Sequence, residues 1–237
     1  MERGPRRFAR VRAAVRQDGG FVISHADIRR VFERAEPGPR KAHKRELMAC
    51  ALDGFEAAGI AATTIEDIRA RAGSSIGSIY HHFGNKDGLV AALFFAAIDD
   101  QATLCESHFA AATTPRAIVE ASVRSYLEWV AAQPRLARYV YMARSTVASG
   151  PAAEDLARRN KARYRVLFDW LDRGVAEGTV RALPRETYVP LMIGPSETYC
   201  RAWLSERVKA SPAQHVAVFT EAAWRAVATN TGSGLKT

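Results

Sequence analysis

A chain of 237 residues with 48% hydrophobic and 25% charged side chains can bury a sizeable core, and this composition excludes a chain disordered throughout. Its three cysteines, Cys50, Cys105 and Cys200, lie far apart with no CxxC or Cys/His spacing, which excludes a cysteine-built metal cage and leaves buried reduced thiols. The net charge of +9 is lopsided: residues 1–45 hold 13 Lys/Arg against 5 Asp/Glu, the remainder 21 against 20, and such asymmetry points to a polyanion, nucleic acid or an anionic membrane surface.

Residues 1–40 read as a basic extension. It opens on "MERGPRRFARVRAAVRQ", breaks at "DGG" (18–20), offers a short helix in "SHADIRRVFERA" (24–35) and ends on the breaker "EPGPR" (36–40). The opening lacks the apolar core and cleavage site of a secretory signal, so a cytoplasmic location is expected. A first domain helix follows over 41–58, placing Leu47, Ala51, Phe55 and Ala58 on one face and stopping at Gly59. In "TTIEDIRARAG" both Thr63 with Glu66 and Thr64 with Asp67 fit a capping box, and Ile65, Ile68 and Ala72 share a face. Gly73 ends this short helix, Ser74 or Ser75 caps the next one through "IGSIYHHF", and Asn85 caps a long helix from Lys86 to about Phe109.

Two short helices joined by a glycine turn and braced by a third form a helix-turn-helix unit, here residues 41–87. The second of the pair would offer its first residues to base edges: Ser75, Ile76, Gly77 and Ser78. Ile76 has two readings, contact with thymine methyl groups or core packing. Ile79 and Phe83 read as core against Leu47, Phe55, Ile65 and Ile68. Tyr80 and His81 can hydrogen-bond phosphate, as can Lys86 and Thr64 at helix starts and Lys41, Lys44 and Arg45 at the head of the first helix. The adjacent His81 and His82 have no third ligand at suitable spacing, so no metal is expected, and no cofactor is implied.

Helical text continues over 115–132, 134–147, 152–177, 185–207 and 212–229, so residues 88–230 read as a larger helical domain and 231–237 as a flexible tail. Strand signals are almost absent and the fold class is all-α, with about nine helices. Even "GLVAALFFAAI" (88–98) stops at Asp99 and Asp100, short of the ~20 apolar residues a membrane span needs. A soluble protein with no membrane partner is expected.

The run "RELMACALDGFEAAGIAATTIEDIRARAGSSIGSIYHHFGNKDGLVAALF" (45–94) resembles the DNA-binding domain of the tetracycline-repressor (TetR) family of bacterial transcriptional regulators. Phe55, Gly59, "TTIEDIRARAG", "GSIYHHF" and "NKDGL" carry the resemblance. It implies a homodimeric repressor that binds a palindromic operator in double-stranded DNA through Thr64, Ser75, Gly77, Ser78, Tyr80, His81 and Lys86, and that a small-molecule effector releases. Ile76 departs from the polar or basic residue common at its position, and the extension before the first helix is longer than the family norm. That extension has three readings: a basic arm, which is favoured, an added helix, or a start site placed too early.

"PRAIVEASVRSYLEWVAAQPRLARYVYMAR" (115–144) and "RALPRETYVPLMIGPSETYCRAWL" (181–204) resemble the family's ligand-binding and dimerisation helices. The resemblance implies an effector pocket drawn from Tyr126, Trp129, Tyr139, Met142, Phe168, Met192 and Tyr199. It also implies a dimer interface using Gly194 and the stripe Val216, Phe219, Ala223 and Val227, for which an internal core role is the alternative. Pro195 should kink its helix. No phosphate loop, nucleophile elbow or metal-ligand spacing suggests an enzyme. The rival reading is a nonspecific architectural or recombinase-type DNA binder.

Overall fold

The computed structural model describes residues 25–229, so the arm reading for the first 24 residues and the tail at 231–237 lie outside it. Ten α-helices follow one another among the described residues: α1 (His25–Ala35), α2 (Ala42–Ala62), α3 (Ile65–Ala72), α4 (Ile76–Phe83), α5 (Lys86–Phe109), α6 (Pro115–Ala132), α7 (Pro134–Ser149), α8 (Ala153–Ala176), α9 (Arg185–Leu204) and α10 (Val216–Val227). Single 3-10 turns at Pro39–Lys41 and Pro212–His215 lead into α2 and α10. Among the described residues no strand forms, and one antiparallel bridge joins Val180 to Ala228, tying the α8–α9 linker to the end of α10.

Local chemistry sets the boundaries. Pro115 and Pro134 sit at the first helical position, where a missing N–H costs nothing and φ is already helical. Thr114 caps α6 by accepting from the Ala117 N–H. Gly59 stands at φ 82° near the end of α2, a left-handed conformation that closes the regular helix close to where the sequence predicts.

Of the readings for the extension, an added helix holds over 25–35. Ile28, Val31 and Phe32, spaced three and one, are all buried, with Phe32 completely so, and they lay α1 against α2 and α5. Burying each such side chain contributes about 1.5–3 kcal/mol. α1 is therefore part of the core, not a loose arm.

The long helix α5 runs through the middle, packed on α6, α7, α1 and α2. Contrary to the sequence expectation, its 24 residues are long and apolar enough to cross a membrane by length and composition. Here Leu89, Val90, Leu93, Phe94, Ala97 and Ile98 are spent on the protein's own core. α2 is held to α7 by Arg135, which pairs with Asp53 at 2.6 Å and with Glu56, and by the stacked rings of Phe55 and Tyr139 at 5.8 Å. The Tyr139 hydroxyl donates to the Val90 carbonyl oxygen at 2.8 Å, pinning α7 to α5 as well.

Candidate functional site

α3 and α4 make the helix-turn-helix pair, and each starts on a side-chain cap and ends on a glycine. Thr64 accepts from the Asp67 N–H at 3.1 Å while the Asp67 carboxylate accepts from the Thr64 N–H at 2.8 Å. Of the two capping boxes the sequence allows, this one forms; Thr63 turns inward and donates to the carbonyl oxygens of Gly54 and Gly59. The Thr64 hydroxyl also donates to the Asp67 carboxylate at 2.7 Å, and the backbone and hydroxyl donors together hold Asp67 below the usual carboxylate range. Gly73 takes φ 57° at the turn, Ser75 caps α4 by accepting from the Ser78 N–H, and Asn85 caps α5 through the Gly88 N–H.

Ile79 is fully buried and Phe83 packs against the same core, as the spacing predicts. Ile76 and Tyr80, at 44% and 50% exposed, point outward. Ser75, Gly77 and His81 are exposed beside them. Core packing is therefore not the role of Ile76. Lys86 reaches back to the Ala61 carbonyl oxygen at 3.2 Å, linking the start of α5 to the end of α2.

The other predicted phosphate ligands are placed differently. Lys44 pairs with Glu36 and lies 5.5 Å over the Phe83 ring, and Arg45 donates to the carbonyl oxygens of Glu36 and Gly38 at 2.7 and 2.8 Å. The α1–α2 linker presents its carbonyls to the first turn of α2, so both cations hold that linker instead of facing outward with α4. A residue the sequence reading passed over stands in the middle of the pair: Nε2 of His43 lies 2.9 Å from the hydroxyls of both Ser74 and Ser78. It ties α2 to both sides of the turn. Its only sequence signal is its position in the first turn of α2. His82 rests beside it at 5.8 Å between ring centroids, and burial together with His81 holds its imidazole below the ordinary value.

A cavity of about 350 Å³ lies between α5, α6, α7, α8 and α9. Its wall is largely apolar, with Phe94, Ile98, Trp129, Val140 and Leu167, and carries Arg163, Arg144, Asn160 and Gln101 as polar groups. Of the predicted pocket residues, Tyr126 and Trp129 line it. The Tyr126 and Tyr141 hydroxyls meet, burial raising both phenols well above the ordinary range. Trp129 donates to Asp100 at 3.0 Å, and the other oxygen of that carboxylate takes Arg34 from α1.

The remaining five predicted pocket residues are elsewhere. Tyr139 is consumed by Val90 and Phe55, Met142 faces outward, and Met192 is core. Phe168 is covered by Arg185 at 4.2 Å. Tyr199 donates to Ala210 and packs on His215 and Phe219. Aromatic or thioether character marks core as often as it marks a ligand wall, and only helix phase separates them.

The proposed dimer stripe also turns inward. Val216, Ala223 and Val227 are buried within the single chain, where α10 packs on α6 and α9, so the intramolecular reading applies to them. Phe219 is partly buried against the same core. Gly194 lines the cavity, and a side chain there would meet open space, so it mediates no close helix approach within the chain. α9 continues through Pro190 and Pro195 as one element. The outward side of this helix pair instead shows Leu191, Pro195, Thr198 and Val218, the last 66% exposed.

Residues 47–93, which run from α2 through α4 into α5, match the family model described as bacterial regulatory proteins, tetR family. The transcriptional regulator BetI of Burkholderia thailandensis is 34% identical over 87 residues, and the chain spans 45% of that relative's length. The transcriptional repressor KstR2 of Rhodococcus jostii is 28% identical over 144 residues, covering 60% of this chain and 70% of that one. A solved TetR family transcription regulator from Marinobacter aquaeolei superposes with a TM-score of 0.68 at 20% identity, over 80% of this chain and 97% of the other. With the helix-turn-helix built as described, residues 47–93 carry the segment typical of the tetR family of bacterial regulatory proteins, and the helical body behind it shares the fold of the solved regulator.

Proposed function

We propose that the protein is a homodimeric, sequence-specific DNA-binding repressor whose grip on a palindromic operator is released by a small molecule. The observation that carries this is the outward row of α4. Ser75, Ile76, Gly77, Tyr80 and His81 stand exposed on a short helix whose own ends are capped, the arrangement a helix needs to enter a major groove. Two such helices about 34–36 Å apart would read successive turns of one DNA face. The outward stripe of α9 and α10 offers a surface for pairing across a two-fold axis.

The cavity supplies the regulatory half. α5 begins beside α4 with Lys86 and continues to Phe94, Ile98, Gln101 and Cys105 on the cavity wall, so a ligand that repositions α5 moves α4 with it. A ligand can shift operator affinity only by binding better to a dimer whose two α4 helices stand at a separation other than the one that fits DNA.

Nuclease protection of the gene's own upstream region tests the reading. One two-fold symmetric footprint, lost when an effector is added, is the expected result, together with a dimer in sedimentation at micromolar concentration. Diffuse protection without a symmetric site would favour a nonspecific binder instead.

A further inference from the structure

Resting on the reading of the cavity as an effector site, we infer that its ligand is an apolar molecule ending in a carboxylate, and that Arg163 on α8 receives that carboxylate. Arg163 lines the cavity with its side chain 16% exposed, and its Nε is buried without a hydrogen-bond partner among the described residues. Its nearest carboxylate, Asp99, stands 3.8 Å away, beyond hydrogen-bond reach, and is already engaged by Arg159.

The rest of the wall does not compensate. Glu197 is its acidic residue, and Arg201 binds that carboxylate at 2.7 and 3.0 Å. Arg144 adds a second positive charge to the lining. Burial pulls the Arg163 guanidinium below its ordinary value, and the charge of Arg144 acts in the same direction. Buried guanidinium donors left unfilled cost free energy, whereas a carboxylate fills two parallel donors at once with charge-assisted bonds. An alcohol of the same body offers one neutral acceptor oxygen in place of two charged ones, and an amine would bring a like charge to the fork. Phe94, Ile98, Trp129, Val140 and Leu167 accept the apolar remainder, and about 350 Å³ is within the range of small-ligand cavities.

Decanoate and 1-decanol, which differ only in the head group, are suitable probes for calorimetry on the full chain. Decanoate should bind at least about tenfold tighter. Arg163→Met should abolish that preference and leave 1-decanol binding unchanged. The inference is overturned if the alcohol binds as tightly as the acid, if neither binds, or if the preference survives in Arg163→Met. Should that variant fail to fold, the comparison on the unsubstituted chain still decides. Release of DNA is scored separately. Carboxylate-selective binding that leaves the footprint intact would refute the effector reading and keep the Arg163 site; release by the alcohol alone would do the reverse.

Discussion

Gly77 occupies the second position of α4, where a glycine costs about 0.8–1.0 kcal/mol relative to alanine. Nothing inside the chain asks for it. Its φ is not positive, and a Cβ built there meets only the Ser75 hydroxyl oxygen, at 3.9 Å, ordinary van der Waals contact. Gly77→Ala should therefore stabilise the free protein by about 0.5–1 kcal/mol, seen as a Tm rise of roughly 2–4 °C per kcal/mol for a chain of this size. On DNA the sign should invert. The added methyl projects from the exposed face between Ile76 and Ser78, where the backbone would approach the base edges, and losing that approach should weaken binding by about 1–3 kcal/mol. Denaturant unfolding and fluorescence anisotropy on the protected fragment measure the two effects independently. A loss of stability would mean the glycine serves the fold, and unchanged DNA affinity would mean that this face of α4 does not lie against the bases.

Ile79→Ala, at a completely buried position, should cost about 2–5 kcal/mol; Ile76→Ala, already 44% exposed, should cost under about 1 kcal/mol and instead relax the preference for thymine at one operator position, read by site selection. Phe32→Ala should destabilise the whole chain by about 3–5 kcal/mol in a denaturant melt, because Phe32 is fully enclosed between α1 and the core. Asp67 has its pKa lowered from 3.8, so its capping contribution is complete above that value and fades as pH falls through the lower folded one. The stability gap between the unsubstituted chain and Asp67→Asn at neutral pH should thus shrink in melts near about pH 3.

The order of helices was legible because apolar spacing, hydroxyl caps and proline or glycine stops agree along the chain. α4, α5 and α6 appear over the expected residues, and other helices shift by a few positions at their ends. What periodicity alone left open was rotation about each axis. Val216, Ala223 and Val227 form a stripe that serves equally for a partner chain or for α6, and the stripe itself carries no mark of which. The pocket was obscured in a second way, because aromatic side chains by themselves are not what marks its wall. The signal lay on α8, where Leu156, Asn160, Arg163, Leu167 and Leu171 repeat at intervals of three and four, setting an amide and a guanidinium in an apolar row. Polar residues on the buried side of a helix have to be satisfied by something. Lys44 and Arg45 misled for the opposite reason: cations at a helix start suggest phosphate until a linker supplies nearer acceptors.

That last point decides where electrostatic affinity for DNA has to arise. α4 carries no Lys or Arg. Around it Lys44 and Arg45 are committed to Glu36 and its linker, Arg69 to Glu66, and Arg135 to Asp53 and Glu56. Each phosphate neutralised by a protein cation steepens the log-affinity against log-salt slope by ~0.9, so pairs already closed within the protein contribute little to it. The densest supply left is the stretch before α1, with six Arg against two acidic residues in positions 1–24. Removing residues 1–38, the obvious truncation, would delete the buried Ile28, Val31 and Phe32 and confuse lost folding with lost contacts. Removing residues 1–24 alone separates the two. The melt should be unchanged, and the salt slope should fall by ~0.9 for each Arg that had reached a phosphate. An unchanged slope would throw the phosphate contacts back onto Lys86 and the helix N-termini.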